Sequence, residues 1–176
     1  MLFIAAASTV VAFNACKKSS NPKPVVNTPV TTSLSFSTNG TAVSYNECSA
    51  GGEGVSPTFL TTIEALQTIN SFGAIADGGF VIEIMQDINT IKPGQTFPVE
   101  TTAGQSGSAI IDFSPDGASN YITQPANAQG SVTITDISAT EMKGTFSAKL
   151  FAPADVSGTN VLSTITNGTF TASVSK

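Results

Sequence analysis

The chain has 176 residues, enough for one domain with a sizeable core, and only 11% of them are charged, with a net charge of −5. All the positive charges are lysines and no basic stripe is present, so nucleic-acid binding lacks its main electrostatic contribution. The chain has no histidine, which removes the usual general base and the commonest metal ligand. Abundant Thr, Ser, Gly and Asn favour strands and turns.

The N-terminus has the pattern of a secretory signal. Residues 2–13 form an apolar run that is too short to span a bilayer but has the length of a signal's hydrophobic region. No Lys or Arg precedes the run, so we expect the natural start to lie upstream of Met1. Ala15 and Cys16 follow, and here the chain resembles bacterial lipoprotein precursors, in which a small residue precedes the lipidated cysteine. Phe13, where leucine is usual, departs from that pattern.

The resemblance implies a lipoprotein signal peptide at residues 1–15 and an acyl chain on Cys16. The alternative is a short buried strand with a core cysteine. Residues 16–32 contain several prolines among Ser, Asn, Thr and Val, a composition that favours an extended tether that buries no core. We therefore predict one folded domain at residues 33–176, held to a membrane through its N-terminal lipid.

The first predicted element of the domain is a β-hairpin. Residues 33–38 alternate in polarity, Asn39 and Gly40 tolerate the positive φ angles of a type I′ turn, and Val43 and Tyr45 continue the alternation. Residues 50–54 are rich in glycine and predict a flexible loop, because the ending of a phosphate-binding loop is missing.

The middle of the chain predicts further strands. Residues 58–69 fit either a helix or a strand, and the β context favours a strand. Residues 80–85 predict a strand with Phe80, Ile82 and Ile84 inward and Glu83 outward. A turn at residues 92–94 then leads to a short edge segment around Phe97.

Residues 108–113 and 120–123 predict a second hairpin around a turn at residues 114–117. Within it, Asp112, Ser114 and Asp116 alternate before a glycine, like the start of a loop that binds Ca²⁺ with hard oxygen ligands. The glutamate that completes such a loop is missing. The alternative is a hairpin turn whose carboxylates cap backbone amides.

Residues 130–174 predict an antiparallel meander with a period of two. Val132, Ile134 and Asp136 are expected on one face, and Thr133, Thr135 and Ile137 on the other. One apolar face requires a second layer to cover it. The fold class is therefore all-β, an antiparallel β-sandwich (immunoglobulin-like or a related meander) of about eight to ten strands.

Chemical motifs are sparse. Cys48 has no histidine partner and is expected to be a half-buried thiol, and we expect no disulfide between Cys16 and Cys48 because it would tie the leader to the domain. Glycosidase chemistry needs only two carboxylates, but no motif pairs any two here. Tyr45 and Tyr121 are the only tyrosines, and they mark where a weak carbohydrate site would lie. The phenylalanines are expected in the core; they include Phe36, Phe80, Phe113, Phe146 and Phe170.

Residues 33–176 resemble small lipoproteins of the Bacteroidota. Five short motifs carry that resemblance: Asn39-Gly40, Pro93-Gly94, residues 130–135, residues 144–147 and residues 165–170. The group brings no agreed activity, so the resemblance implies only location, an outer-membrane lipoprotein of the cell envelope. We expect a monomer that is not an enzyme and that serves a binding or structural role, with a protein or glycan partner. The alternative is a small module that binds carbohydrate, or a ligand through calcium, with the loops at one end.

One observation separates these roles. A solvent-exposed aromatic patch or a pocket with converging polar groups would favour binding, whereas a uniformly polar, Thr-rich surface would favour a structural role.

Overall fold

The computed structural model describes residues 30–53, 60–66, 78–102 and 104–175. The predicted signal peptide, Cys16 and most of the predicted tether lie outside these residues. The strands in chain order are β1 (Ser33–Thr38), β2 (Thr41–Tyr45), β3 (Ser49–Glu53), β4 (Leu60–Leu66), β5 (Gly79–Ile84), β6 (Thr96–Pro98), β7 (Ala109–Ser114), β8 (Tyr121–Ile122), β9 (Gly130–Ile137), β10 (Glu141–Phe151) and β11 (Val161–Ser175). Among the described residues, no helix has the length and apolar character needed to cross a membrane.

The two longest strands, β10 and β11, form the centre of the fold. They pair antiparallel, β9 flanks β10, and β1 flanks β11. The edge strands β6 and β2 complete this first layer, in the order β6-β9-β10-β11-β1-β2. The second layer has the order β3-β4-β5-β7-β8 and is antiparallel throughout.

The central strands also join the two layers. Beyond its pairing with β1, β11 continues at Ser173 to Ser175 alongside β3, and this pairing is parallel. At the other end, Phe151 of β10 pairs with Ile122 of β8. The strands of both layers therefore belong to one continuous hydrogen-bonded network, which has eleven strands among the described residues.

Phenylalanine rings fill the space between the layers. The ring centroid of Phe80 on β5 lies 4.8 Å from that of Phe36 on β1 and 4.9 Å from that of Phe146 on β10. Phe80 therefore contacts two rings of the opposite layer. Phe113 on β7 packs edge-on against Phe36 at 5.2 Å. All five phenylalanines predicted to be in the core are buried, including Phe170. Removal of such rings from water is the main favourable contribution to this sandwich.

The all-β sandwich prediction is confirmed, with two corrections. The described residues contain eleven strands, more than predicted, and the sheet is mixed because β3 and β11 run parallel. The Asn39-Gly40 hairpin is confirmed in detail, since both residues have positive φ angles, of 48° and 84°. Residues 58–69 form a strand where they are described, with Thr61, Ile63 and Ala65 buried as the strand interpretation requires.

The loop prediction for residues 50–54 is wrong as far as Glu53. Ser49–Glu53 is strand β3, which pairs with β4 on one side and with β11 on the other. Strand β4 pairs with all five residues and β11 with Ser49 to Gly51, and this pairing outweighs the low strand propensity of glycine. Glycine also makes room here, because a Cβ at Gly52 would lie 3.0 Å from the Ile88 side chain.

The predicted faces of β9 are correct only up to Ile134. Thr135 is an extra residue opposite β10, since Gly144 pairs with Ile134 while Lys143 pairs with Asp136. This β-bulge turns the strand over, so Asp136 is exposed instead of facing inward and Ile137 packs against the core.

Candidate functional site: the tyrosine cleft

A solvent-accessible cleft of about 580 Å³ opens at one end of the sandwich, where the β1–β2 hairpin faces the β7–β8 hairpin. Its lining residues are Thr38, Asn39, Thr41, Ala42, Val43, Ser44, Tyr45, Phe113, Pro115, Tyr121, Leu162 and Ser163. Both tyrosines of the chain belong to this set. We call this site the tyrosine cleft.

The tip of the β1–β2 hairpin is fastened to β11, which fixes one wall of the tyrosine cleft. The Asn39 side chain donates to the carbonyl of Leu162 and accepts from the amide of Thr164, both at 3.0 Å. The hydroxyls of Thr38 and Ser163 lie 2.5 Å apart, beside this contact. Asn39 therefore has two functions, since the residue that allows the turn also anchors it.

The β7–β8 hairpin forms the opposite wall. Tyr121 packs edge-on against Phe113, with ring centroids 6.2 Å apart, and stays half-buried. The turn below it is closed by Asp116, whose carboxylate accepts from the amides of Ala118 and Ser119. Both bonds lower the pKa of Asp116, and the bond from the Ser119 amide has the larger effect.

Tyr45 lies deeper, with only 5% of its surface exposed. Burial raises its pKa to about 12, so the phenol is neutral at physiological pH. Within the described part of the chain, neither phenol hydroxyl, of Tyr45 or of Tyr121, forms a hydrogen bond. A phenol offers one donor and one acceptor, so each hydroxyl can bond to a molecule that reaches it.

The described residues that line the tyrosine cleft include no charged side chain; they supply hydroxyls, one amide, aromatic rings and short apolar groups. Charged ligands bind where an opposite charge offsets their loss of water. The tyrosine cleft is therefore suited to an uncharged ligand that combines apolar contact with hydrogen bonds. The polar rim of the cleft is completed by Thr38, Asn39 and Ser163. Of these three residues, the sequence analysis singled out only Asn39, and it did so for the turn.

The three residues of the predicted calcium loop have bonding partners within their own hairpin. Asp112 accepts from the Asn120 side chain at 3.2 Å, and the Ser114 hydroxyl accepts from the Gly117 amide at 3.0 Å. Asp116 caps the turn as described above. Ser114 and Asp116 therefore accept from backbone amides, whereas Asp112 accepts from a side-chain amide, and the calcium site itself stays a prediction. In the described ranges, no group of three or more acidic, cysteine or histidine residues is placed to hold a metal ion.

A smaller groove of about 330 Å³ runs over the outer face of the second layer, and Glu64, Glu83 and Asp112 line it. Burial raises the pKa of Asp112, and the hydrogen bond from the Asn120 side chain partly offsets this rise. The three carboxylates lie on adjacent strands of one sheet and share a single wall. A glycosidase needs its two carboxylates on either side of the scissile bond, so this arrangement does not favour that chemistry.

The thiol of Cys48 is buried, with 4% of the residue exposed, where the sequence predicted it half-buried. It is a free cysteine, and burial raises its pKa to about 12. A protonated, inaccessible thiol is a poor nucleophile, so Cys48 serves as a small core residue.

The outer face of the first layer presents a row of hydroxyl side chains that crosses six strands. Register places these residues opposite one another in the order Thr96, Thr133, Thr145, Thr169, Ser35 and Ser44. Two neighbouring pairs are hydrogen-bonded, Thr96 with Thr133 at 2.9 Å and Ser35 with Thr169 at 3.0 Å. Such a face is well solvated, in contrast to the tyrosine cleft.

No family model, curated protein or solved structure matches this chain. We therefore infer function from the residues of the site.

Proposed function

We propose that this protein is a non-catalytic binding protein of the cell envelope, held to the outer membrane through a lipid on Cys16. Its ligand site is the tyrosine cleft, which takes an uncharged ligand. The observation that carries this proposal is the convergence of Tyr45 and Tyr121, from different hairpins, in one cleft whose described lining residues are all uncharged. The ligand-binding role that was the sequence alternative therefore becomes the preferred one, because a pocket with converging polar groups is present.

The chemistry of the tyrosine cleft narrows the ligand further. A net charge of −5 repels anions at long range, and the described lining residues offer a cation no negatively charged partner. Half-buried rings such as that of Tyr121 provide apolar contact area at a low cost in conformational entropy, and their hydroxyls form hydrogen bonds that orient the ligand. Neutral saccharides and uncharged peptides both meet these requirements.

Calorimetric titration of the wild type and the Tyr121→Ala variant tests the proposal. We expect uncharged oligosaccharides or peptides to bind, sulfated or strongly basic ones not to bind, and Tyr121→Ala to weaken binding by about tenfold, or about 1.4 kcal/mol. Thr145→Ala is the matched control, because Thr145 is exposed on a different face and should leave binding unchanged. Equal affinities for wild type and Tyr121→Ala, with melting curves showing both folded, would contradict the assignment of the site.

The lipid anchor is a separate prediction, supported by the sequence pattern around Ala15 and Cys16. We expect the wild type to partition into the detergent phase and Cys16→Ser into the aqueous phase, since acylation supplies about 0.8 kcal/mol per buried methylene. Equal partitioning of the two proteins would disprove the anchor. The tyrosine cleft would be unaffected by that result.

A further inference from the structure

Strand β2 is an edge strand, and its free edge borders the tyrosine cleft. It pairs with β1 on one side and stands last in the strand order of the described residues. All five of its residues, Thr41–Tyr45, line the cleft. Val43 and Tyr45 lie on the inward face, whereas the side chains of Ala42 and Ser44 are exposed. The part of Ala42 and Ser44 that borders the cleft is therefore the backbone.

The hairpin register shows which backbone groups of β2 point away from β1. In a two-residue hairpin the pair that flanks the turn, Thr38 with Thr41, is hydrogen-bonded, and bonded pairs then alternate. Thr41, Val43 and Tyr45 consequently direct their backbone groups toward β1, and Ala42 and Ser44 direct theirs outward. No hydrogen bond from the described residues reaches the outward groups. Two amides and two carbonyls face the cleft, because each residue has one of each.

Proteins usually protect such an edge, and strand β2 carries none of the usual protective features along its own residues. Charged side chains, proline, bulges or very short strands are the usual devices that prevent further pairing. The other edge of the layer, β6, has two of these devices, since it is three residues long and includes Pro98. Strand β2 has no charge, no proline and an unbroken register with β1.

We propose that the ligand of the tyrosine cleft is an extended, uncharged peptide segment of a partner protein, which adds to the sheet as a strand beside β2. This proposal rests on the proposed function and names the class of ligand. The peptide backbone pairs with the outward groups of Ala42 and Ser44. Its alternate side chains turn inward beside Tyr45 and reach Tyr121 and Pro115 on the facing wall. Backbone pairing supplies affinity, and the inward positions supply selectivity for uncharged side chains.

The chain contains a built-in reporter for this binding. It has no tryptophan and two tyrosines, both in the tyrosine cleft, so tyrosine fluorescence reports on that site alone. The probe is a capped peptide of alternating residues, Thr-Val-Thr-Val-Thr-Val, which contains no chromophore. Its matched control is the same peptide with methyl groups on alternate backbone nitrogens, which retains the side chains and removes the edge donors. We expect the full-length protein to bind the first peptide at least about tenfold more tightly than the second.

Two variants examine the same edge from the protein side. Ser44→Pro removes one outward amide and leaves the bonds to β1, because proline is tolerated on an edge whose amide faces away. We expect it to weaken binding of the unmethylated peptide at least about fivefold. Thr145→Ala is its control, since Thr145 is exposed on β10 and does not line the tyrosine cleft, and this variant should bind as the wild type does. Thermal unfolding shows whether each variant is folded, and the methylated peptide tests the proposal without any variant.

The outcomes separate this inference from the proposed function. Equal binding of the two peptides would overturn strand addition and leave the tyrosine cleft as a ligand site. Binding of neutral oligosaccharides with no binding of either peptide would do the same. If no uncharged probe changes tyrosine fluorescence, both proposals fail. Loss of binding on methylation together with loss in Ser44→Pro supports strand addition.

Discussion

Phe146→Ala is expected to lower the free energy of unfolding by about 3–5 kcal/mol, the range for removing a buried aromatic ring and leaving its cavity. The Phe146 ring contacts both layers: its centroid lies 4.9 Å from that of Phe80 and 6.4 Å from that of Phe170. Only 4% of the residue is exposed. It also covers the backbone of Gly168 on the neighbouring strand, so its loss opens the sheet at that point.

Thr145→Ala is the matched control, one residue earlier on β10. Thr145 is exposed, so this substitution should change stability by no more than about 0.5 kcal/mol. Urea unfolding of both variants gives the comparison. Small and equal losses would show that Phe146 lies outside the core and would contradict the described packing.

Gly168→Ala should destabilise the protein by about 1–3 kcal/mol or more, although it adds only a methyl group. A Cβ at Gly168 would lie 2.5 Å from the Phe146 ring and 2.6 Å from the Phe146 carbonyl oxygen. The arrangement is reciprocal, because Gly144 pairs with Phe170 and a Cβ there would lie 2.5 Å from that ring. Each glycine lets the ring from the opposite strand cover the sheet.

Gly51→Ala provides the contrast for Gly168→Ala. Among the described atoms, a Cβ at Gly51 meets only the Ser175 carbonyl, at 4.0 Å. Its φ angle is one that alanine adopts. The substitution should therefore be neutral or stabilising by about 0.4–1 kcal/mol, because alanine lowers the conformational entropy of the unfolded chain. Thermal unfolding of both variants measures the difference. If both raised stability, the close contact between Gly168 and Phe146 would be disproved.

The sequence was sufficient for elements whose signal is local. The Asn39-Gly40 turn is specified by two residues that accept positive φ, and its register places Val43 and Tyr45 correctly. Strand β5 has Phe80, Ile82 and Ile84 buried, as its alternation predicts. The β7–β8 hairpin follows in the same way from its turn residues.

Elements that depend on distant partners were not predictable. Strand β3 is rich in glycine and exists because β4 and β11 pair with it, and β11 belongs to the far end of the chain. The bulge at Thr135 arises from how β9 meets β10, and no residue type marks it. Local propensity does not encode such long-range pairing.

The site was predictable in its residues but not in its assembly. Tyr45 and Tyr121 were identified because aromatic residues with a hydroxyl are rare in this chain. The two tyrosines line one cleft because two hairpins from different layers face each other. Alternation of polarity along a strand does not specify how hairpins are placed. Thr38 and Ser163 look like ordinary strand residues, so no feature of the sequence places them at the rim.

The most direct test of the tyrosine cleft is NMR of protein with ¹³C-labelled tyrosine rings, titrated with the uncharged peptide and with neutral oligosaccharides. The chain has two tyrosines, so the spectrum reports on Tyr45 and Tyr121 alone. We predict that an uncharged probe shifts the signals of both rings with a single dissociation constant, and that a sulfated oligosaccharide shifts neither. A probe that binds the protein while both rings keep their free positions would contradict the account.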